Sequence, residues 1–334
     1  MKIAVIGAGA IGGYLGARLA LSGNEVTFIA RGANLEAIRK NGFKLIGEDG
    51  SEHIAKTARA VLSMEEAGAQ DVVLLALKAH QVSALAADVP KLFGPETVVV
   101  TLQNGIPWWY FYKHGGDLAG RPVQSVDADG NIARHIPSER IIGCVVYPAS
   151  ELVAPGVVKV IEGNRFSLGE PDGTESERIK KISETFKQAG FKSPVSTDIR
   201  AEIWLKLWGN LSFNPISALT HATLVDICQY PPTRNVAAMM MTEAQTIAEK
   251  LGIKFRVSLE KRIAGAEGVG KHKTSMLQDV EAGRAIELEA LVGSVLEMGK
   301  LTRTPTPYIE AVYGCAALLG KTLADSKGRL KITS

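Results

Sequence analysis

The chain has 334 residues, which is long enough for two domains, and it is 46% hydrophobic and 22% charged. Its formal net charge of +3 is too small to favour nucleic acid or a membrane surface as a partner. No apolar run approaches the roughly 20 residues that a membrane-spanning helix needs. The three cysteines and six histidines are scattered, without the spacing of a disulfide framework or of metal ligands. We therefore expect a cytoplasmic protein with no secretory signal and no metal site.

The first 31 residues follow the order strand, glycine-rich turn, helix and strand, which is the order of a dinucleotide-binding unit. Apolar residues 3–6 predict a buried strand, and residues 25–30 predict a second strand. The turn before the helix comprises Gly7, Ala8, Gly9, Ala10, Ile11 and Gly12.

Each glycine of this turn has its own role in such a unit. Gly7 permits the tight turn, Gly9 lets the main chain approach a pyrophosphate, and Gly12 lets the helix pack on the strand. The helix N-terminus then offers N–H groups and a partial positive charge to the phosphates. The alternative is an ordinary glycine-rich turn with nothing bound.

The residue after the second strand indicates which dinucleotide binds. An Asp or Glu there would favour NAD, because a carboxylate accepts hydrogen bonds from the ribose 2′-hydroxyl. This chain has Arg31 instead, and a planar guanidinium can bind two oxygens of a 2′-phosphate. The sequence therefore predicts NADP(H), with a solvated surface arginine as the alternative.

Polar side chains also follow two further predicted strands, at residues 71–77 and 97–102. Lys78 and Gln81 come after the first of these strands, and Asn104 comes after the second. Ligands of open parallel sheets bind outside the carboxyl ends of the strands, so all three are candidates for cofactor or substrate contacts. The alternatives are a loop charge and an Asn-Gly turn.

Five consecutive aromatic residues, 108–112, show neither a helical nor a strand period. They are either a hydrophobic flap over the core or an aromatic wall beside a substrate pocket. The strands predicted at residues 141–147, 157–161 and 165–168 are expected to join the same sheet as the earlier ones.

From residue 197 onward the pattern is almost entirely helical. Helices are predicted at residues 198–219, 233–251, 275–301 and 307–323. A parallel α/β half followed by helices implies two domains. We therefore predict an α/β protein with a Rossmann-type dinucleotide-binding domain at residues 1–196 and an all-helical substrate and catalytic domain at residues 197–334.

The predicted helix at 198–219 carries Lys206, Asn210 and Asn214 at intervals of four residues. Each step of four advances only about 40° around a helix, so the three side chains share one face. Asparagine is unfavourable in the middle of a helix, and a face that binds a polar substrate would explain two of them. A lysine there could protonate the oxygen of a carbonyl that is being reduced. The alternative is a solvated polar face.

Two residues of the predicted helix at 275–301 are further candidates. Ser275 could contact a substrate carboxylate, or it could be the N-cap of a capping box with Gln278. Glu287 lies among apolar neighbours and could hold a substrate hydroxyl or the cofactor, or it could pair with Arg284.

Taken together, these motifs resemble those of the ketopantoate reductase (2-dehydropantoate 2-reductase) family. The matching stretches are residues 7–12, Arg31, Leu77-Lys78-x-x-Gln81, Gln103-Asn104-Gly105, Trp204-x-Lys206-x-x-x-Asn210-x-x-x-Asn214-Pro215, and Thr274 to Asp279 followed by Glu287. They cover nearly the whole chain and occur in the order of the family.

The resemblance implies NADPH-dependent reduction of ketopantoate, or of a related 2-oxo acid, to the 2-hydroxy acid. For ketopantoate the product is (R)-pantoate of the pantothenate and coenzyme A pathway. Lys206 would be the catalytic general acid and Glu287 would contact the substrate hydroxyl or the cofactor. Substrate contacts are expected from Asn104, Asn210, Asn214 and Ser275. NADPH contacts are expected from residues 7–12, Arg31, Lys78, Gln81, Asn104, Ala149 and Glu287.

Two departures from the family pattern concern the substrate. A further substrate-binding asparagine is replaced by Leu224, and the segment 107–140 is longer and more aromatic than the family pattern. A bulkier 2-oxo acid is therefore open as the substrate. Two other functions remain alternatives, a 3-hydroxy acid or opine-type dehydrogenase and a non-catalytic NADP(H) sensor. The helical domain leaves a homodimer open.

Overall fold

The computed structural model describes residues 1–328, and their contacts group them into two compact units. The first unit comprises Met1–Asn104, Trp108–Pro122 and Asp127–Glu202. The second unit comprises Gly105–Pro107, Val123–Val126 and the described chain from Ile203 onward. Two short segments from the N-terminal half of the sequence therefore group with the helical unit.

All strands of the described residues lie in the first unit. They are β1 (Lys2–Ile6), β2 (Glu25–Ile29), β3 (Phe43–Ile46), β4 (Glu52–Ala55), β5 (Arg59–Val61), β6 (Gln70–Leu75), β7 (Phe93–Thr101), β8 (Ile141–Val146), β9 (Ala149–Ala154), β10 (Val157–Glu162) and β11 (Phe166–Gly169). A seven-stranded sheet has the order β11-β8-β7-β6-β1-β2-β5. Its pairs are parallel except β8–β11, which is antiparallel. The order reverses at β1, as in doubly wound nucleotide-binding sheets.

A second sheet of four strands has the order β4-β3-β10-β9. The prediction that residues 157–161 join the main sheet is therefore wrong. They form β10, which pairs with β9 across the turn at Gly156, and β9 is not among the predicted strands. The first helix after β1 packs on this sheet: a Cβ at Gly13 would overlap the ring of Phe43 and lie 2.8 Å from Val158 Cγ2. Gly13 thus allows the close approach of helix and sheet.

The helices run through both units. They are α1 (Ala10–Leu21), α2 (Gly32–Asn41), α3 (Met64–Ala67), α4 (Ala79–Val82), α5 (Asn131–His135), α6 (Glu177–Gln188), α7 (Ile199–Thr220), α8 (Leu224–Gln229), α9 (Pro231–Lys250), α10 (Leu259–Gly268), α11 (Ser275–Glu281), α12 (Ser294–Leu301) and α13 (Pro307–Asp325). Short 3₁₀ segments occur at Ser83–Leu92, Gly116–Leu118 and Ser138–Arg140. No helix of the described chain is both long and apolar enough to cross a membrane.

The prediction of one helix over residues 275–301 is wrong. α11 ends at Glu281, and the chain turns at Gly283, whose φ is +64°. A π-helical turn, Glu289–Gly293, then leads directly into α12. The apolar period continues through the interruption, which is why periodicity alone could not locate it.

The aromatic segment at residues 108–112 is part of the core of the first unit, as the flap interpretation expects. Trp109 and Tyr110 are 2% and 0% exposed, and Trp109 Nε1 donates to Thr101 Oγ1 (3.2 Å). Arg200 in the first turn of α7 donates to the Tyr110 and Tyr112 carbonyls at 2.8 and 2.6 Å. Burial lowers the pKa of the Arg200 guanidinium. The segment is therefore held by hydrogen bonds from the Arg200 side chain to its carbonyl groups and by packing.

Candidate functional site

Four neighbouring strands of the seven-stranded sheet end side by side. Ile6 at the end of β1 pairs with Ile29 of β2 and with Leu75 of β6, and Leu75 in turn pairs with Thr101 of β7. The chain that follows these strands carries Gly7, Arg31, Lys78 and Asn104. Ligands of parallel sheets bind outside such strand ends, so this edge is the candidate cofactor site.

The three glycines of the turn between β1 and α1 differ in what surrounds them. Gly7 has a φ of +105°, and a Cβ there would lie 2.8 Å from the Ala76 carbonyl oxygen. A Cβ at Gly12 would overlap the Gly7 carbonyl oxygen. A Cβ at Gly9, in contrast, would meet no atom within 4 Å, and the φ of Gly9 is −83°. The fold therefore requires glycine at 7 and 12, whereas at 9 it leaves open space.

This turn fits the pyrophosphate of a dinucleotide. Gly9 is the N-cap of α1 and supplies no side chain, so the first N–H groups of the helix have no side-chain cap. The first turn of α1 contains no acidic residue that would repel an anion. The open space at Gly9 adjoins the residue that directly precedes these N–H groups. Uncapped N–H groups and the positive end of the helix dipole are the features that bind phosphate.

Asn34 holds the same turn in place, and it is not among the residues predicted for the site. Its Nδ2 donates to the Ala8 carbonyl (3.1 Å), and its Oδ1 accepts from the Gly156 N–H (2.9 Å). One amide side chain thus connects the glycine turn to the β9–β10 hairpin. The available signal was an asparagine in the first turn of α2, three residues after Arg31, where a helix-favouring residue would be more usual.

Arg31 lies where the NADP(H) prediction needs it. It is the N-cap of α2, directly after β2, and it is exposed. No hydrogen bond or ion pair within residues 1–328 engages its guanidinium. A planar, exposed guanidinium beside the glycine turn fits a 2′-phosphate.

The remaining residues predicted for the cofactor lie in three places. Lys78 is the N-cap of α4, and its N–H donates to Gln81 Oε1 (3.2 Å), so the Gln81 side chain caps this helix. The neighbour of Asn104, Gln103, donates from Nε2 to the Leu75 carbonyl (2.6 Å) and so connects the chain after β7 to β6. Ala149 opens β9 in the four-stranded sheet, three residues after the end of β8.

The second unit brings together the three polar residues predicted for one face of α7. The helix is continuous over Ile199–Thr220, so Lys206, Asn210 and Asn214 follow one another along one face. Lys206 and Asn210 are half-buried. Trp204 and Trp208, on the opposite side, are fully buried, as the spacing predicts.

Asn214 is the most unusual of these residues. Its side chain is only 5% exposed, and no hydrogen bond within the described chain engages its amide. Its amide oxygen and nitrogen are not fully enclosed, because neither is among the fully buried polar atoms that lack a partner. The face of α7 therefore carries an amide that is nearly enclosed but still accessible.

Ser275 and Glu287 also lie in the second unit. The structure corrects the capping interpretation of Ser275: the N-cap of α11 is Thr274, whose Oγ1 accepts from the Leu277 N–H (3.2 Å). Ser275 is the first residue of the helix and is exposed. Glu287 lies in the connection between α11 and the π-helical turn, and it is half-buried. The sequence predicts a continuous helix at this position, and that prediction is wrong for Glu287.

Comparison with known families matches most of the chain. A family model described as "Ketopantoate reductase PanE/ApbA" matches residues 3–173, and one described as "Ketopantoate reductase PanE/ApbA C terminal" matches residues 198–319. The first match covers the strand-rich part of the sequence and the second covers the helical part.

Individual relatives agree with the family match. A curated 2-dehydropantoate 2-reductase from Mesorhizobium japonicum is 54% identical over 329 residues, which cover 98% of this chain and 99% of the relative. A solved structure from Ralstonia solanacearum MolK2, provisionally assigned as a ketopantoate reductase, aligns with a TM-score of 0.92 and 41% identity, over 96% of this chain and 98% of the other. A 2-dehydropantoate 2-reductase from Geobacter metallireducens GS-15 aligns with a TM-score of 0.83 and 27% identity, over 95% and 99%. The predicted fold class, an α/β domain followed by a helical domain, is confirmed.

Proposed function

Because the chain belongs to the ketopantoate reductase PanE/ApbA family, we propose that it reduces ketopantoate, or a closely related 2-oxo acid, with NADPH. The polar face of α7, along which Lys206, Asn210 and Asn214 follow one another, is the observation that carries this proposal. The product would be (R)-pantoate, and the reaction would belong to the pantothenate and coenzyme A pathway in the cytoplasm.

In this proposal residues 1–196 form the cofactor domain. NADPH, when bound, supplies the hydride that reduces the carbonyl group. The N–H groups at the start of α1 bind the pyrophosphate and Gly9 leaves space for it. Arg31 binds the 2′-phosphate through its guanidinium. Further contacts to the cofactor come from Lys78, Gln81, Asn104, Ala149 and Glu287.

Residues 197–334 supply the groups that act on the substrate. The Nζ of Lys206 donates a proton to the substrate oxygen as negative charge develops on it. Asn210 and Asn214 lie one and two helical turns further along α7 and hold the polar groups of the substrate. Ser275 and Glu287 supply the remaining contacts from this domain, Glu287 to the substrate hydroxyl, and Asn104 of the cofactor domain supplies one more.

The residue at position 224 leaves the substrate range open. Leu224 is the first residue of α8, where the family pattern has a further substrate-binding asparagine, and its N–H donates to the His272 carbonyl (3.0 Å). A leucine contributes no side-chain hydrogen bond. We therefore include 2-oxo acids with a larger apolar substituent among the candidate substrates.

The experiment is NADPH oxidation, followed by absorbance, with a panel of 2-oxo acids that begins with ketopantoate. We expect turnover with ketopantoate or a close analogue, and we expect Lys206→Ala to lower kcat by about 10²-fold or more while NADPH still binds. Lys300→Ala is the matched control, because it removes an exposed lysine of the same unit.

Other outcomes identify the alternatives. NADPH binding without turnover across the panel would favour a sensor, and oxidation of 3-hydroxy acids or of opines with NADP⁺ would favour the other dehydrogenases. Equal kcat values for Lys206→Ala and Lys300→Ala would contradict the role of Lys206. Analytical ultracentrifugation of the same protein tests the homodimer that we include in the proposal.

A further inference from the structure

A single main-chain oxygen in the second unit accepts two hydrogen bonds, one from a residue far away in the sequence and one from a side chain four residues later. The carbonyl of Ala290 accepts from the Ile106 N–H (2.9 Å) and from Ser294 Oγ (2.8 Å). All three residues are buried, at 4%, 1% and 0% exposed respectively. A carbonyl oxygen has two lone pairs, and both are engaged here.

Gly105 packs directly against the same carbonyl. Its φ is +85°, and a Cβ at this position would overlap the Ala290 carbonyl oxygen and lie 2.5 Å from its carbon. Both the backbone conformation and the close approach therefore require glycine. This contact explains why Gly105–Pro107 groups with the helical unit although the preceding residue belongs to the first.

Ala290 belongs to the π-helical turn Glu289–Gly293, and side chains fix the shape of that turn. The Glu289 carboxylate lies over Gly293, where a Cβ would overlap Glu289 Oε2. Tyr313 donates its hydroxyl proton to Glu289 Oε1 (2.8 Å). Burial and the neighbouring carboxylate raise the pKa of Tyr313 to about 12, so the hydroxyl keeps its proton at neutral pH.

We propose that this π-helical turn is a positioning element of the active site, in which the Ala290 carbonyl holds the peptide that follows Asn104. Asn104 is covalently bonded to Gly105, and Glu287 lies two residues before the π-helical turn. Gly105 and Ser294 are therefore positioning residues: they touch neither substrate nor cofactor, and they act through Asn104 and Glu287. A single π-helical turn is a common device at functional sites, because it displaces the chain locally. The inference rests on the proposed reductase function.

The main test compares two glycines that have nearly the same backbone conformation. Gly105→Ala and Gly50→Ala each place an alanine at a φ near +80°, but a Cβ at Gly50 meets no atom within 4 Å. We expect Gly105→Ala to lower kcat by about 10²-fold, which is the cost of a displacement of about 1 Å in an active site. The KM for NADPH should change less than about twofold, since the glycine turn that binds the pyrophosphate is unaltered. Gly50→Ala should retain wild-type kcat.

Ser294 allows a milder test if Gly105→Ala fails to fold. Ser294→Ala should lower kcat by roughly 3- to 10-fold, the effect of one lost hydrogen bond. Ser294→Thr retains a hydroxyl donor and should recover most of that loss. Ser183→Ala is the control, because Ser183 is 1% exposed and donates to the Ser193 carbonyl (2.5 Å) far along the chain from the proposed site residues.

Hydrogen exchange separates this inference from the proposed function. The Ile106 N–H should exchange at least about tenfold faster in Ser294→Ala and in Gly105→Ala than in the wild type and in both controls. Absence of turnover by the wild-type protein would contradict the reductase proposal. The exchange rate of the Ile106 N–H would still report whether the Ala290 carbonyl holds this peptide. Unchanged Ile106 exchange, or a loss of kcat no larger than that of the controls, would overturn the positioning role.

Discussion

The turn between β1 and α1 and the π-helical turn before α12 each contain a glycine at which a Cβ would overlap a neighbouring atom, but the two neighbouring atoms differ in kind. At Gly12 a Cβ would overlap a main-chain oxygen, that of Gly7. At Gly293 a Cβ would overlap only the end of a side chain, Glu289 Oε2. The Gly7 oxygen lies between β1 and α1, so it can move only if the strand or the helix also shifts. The Glu289 carboxylate can rotate away without a change in the main chain.

The contrast between these two turns shows where sequence patterns are informative. The first turn is defined by residues that follow one another, so its glycines are visible as a motif. The second turn is defined by side chains that arrive from elsewhere, Tyr313 from α13 and the chain at Gly105. A local pattern does not record such contacts.

The largest effect is expected at Gly12. Gly12→Ala places a methyl group against the Gly7 carbonyl oxygen and 2.8 Å from the Ala76 Cβ, and both neighbours are fixed in the sheet edge. We expect a loss of about 3 kcal/mol or more in the free energy of unfolding, at the upper end of overpacking substitutions. Urea unfolding followed by circular dichroism measures it. A loss below about 1 kcal/mol would show that this turn yields as readily as the π-helical one.

Gly9 should separate binding from folding within the same turn. Gly9→Ala meets no protein atom and needs no unusual φ, so the variant should be as stable as the wild type or more stable by about 0.4–1 kcal/mol. The added methyl occupies the space that we assign to the pyrophosphate, so the Kd for NADPH should rise about tenfold or more. Fluorescence titration with NADPH, beside thermal unfolding, measures both. Unchanged affinity would place the pyrophosphate elsewhere.

Arg31 should change the choice of cofactor without changing the fold. Loss of a charge-assisted contact to the 2′-phosphate should weaken NADPH binding in Arg31→Ala by roughly 10- to 100-fold. The Kd for NADH should remain within about threefold, since NADH lacks that phosphate. Lys40→Ala is the control because it removes an exposed positive charge from the same helix. Equal losses for the two cofactors would argue against the role of Arg31.

The parts of the fold that could be predicted from the sequence share a local cause. The glycine turn, the position of Arg31 after β2 and the shared face of Lys206, Asn210 and Asn214 all follow from short-range spacing. The four-stranded sheet could not be predicted, because β3 and β10 are more than a hundred residues apart and pair only in the folded chain. The role of Asn34 likewise depends on a distant carbonyl group, that of Ala8, and the Ala290 carbonyl is engaged by the distant Ile106 N–H.

The smallest effect is expected at Gly293, and its sign tests the comparison of the two turns. Gly293 has helical dihedral angles, φ −56° and ψ −41°, so alanine gains about 1 kcal/mol of helix propensity. Displacing the Glu289 carboxylate breaks its hydrogen bond from Tyr313, which costs about 0.5–1.5 kcal/mol, so Gly293→Ala alone should be nearly neutral. In a Tyr313→Phe background that bond is already absent, and the same substitution should stabilise the protein by about 0.5–1 kcal/mol. Urea unfolding of the four proteins of this cycle measures the coupling. A strong loss of stability in both backgrounds would mean that the π-helical turn is as rigid at Gly293 as the first turn is at Gly12.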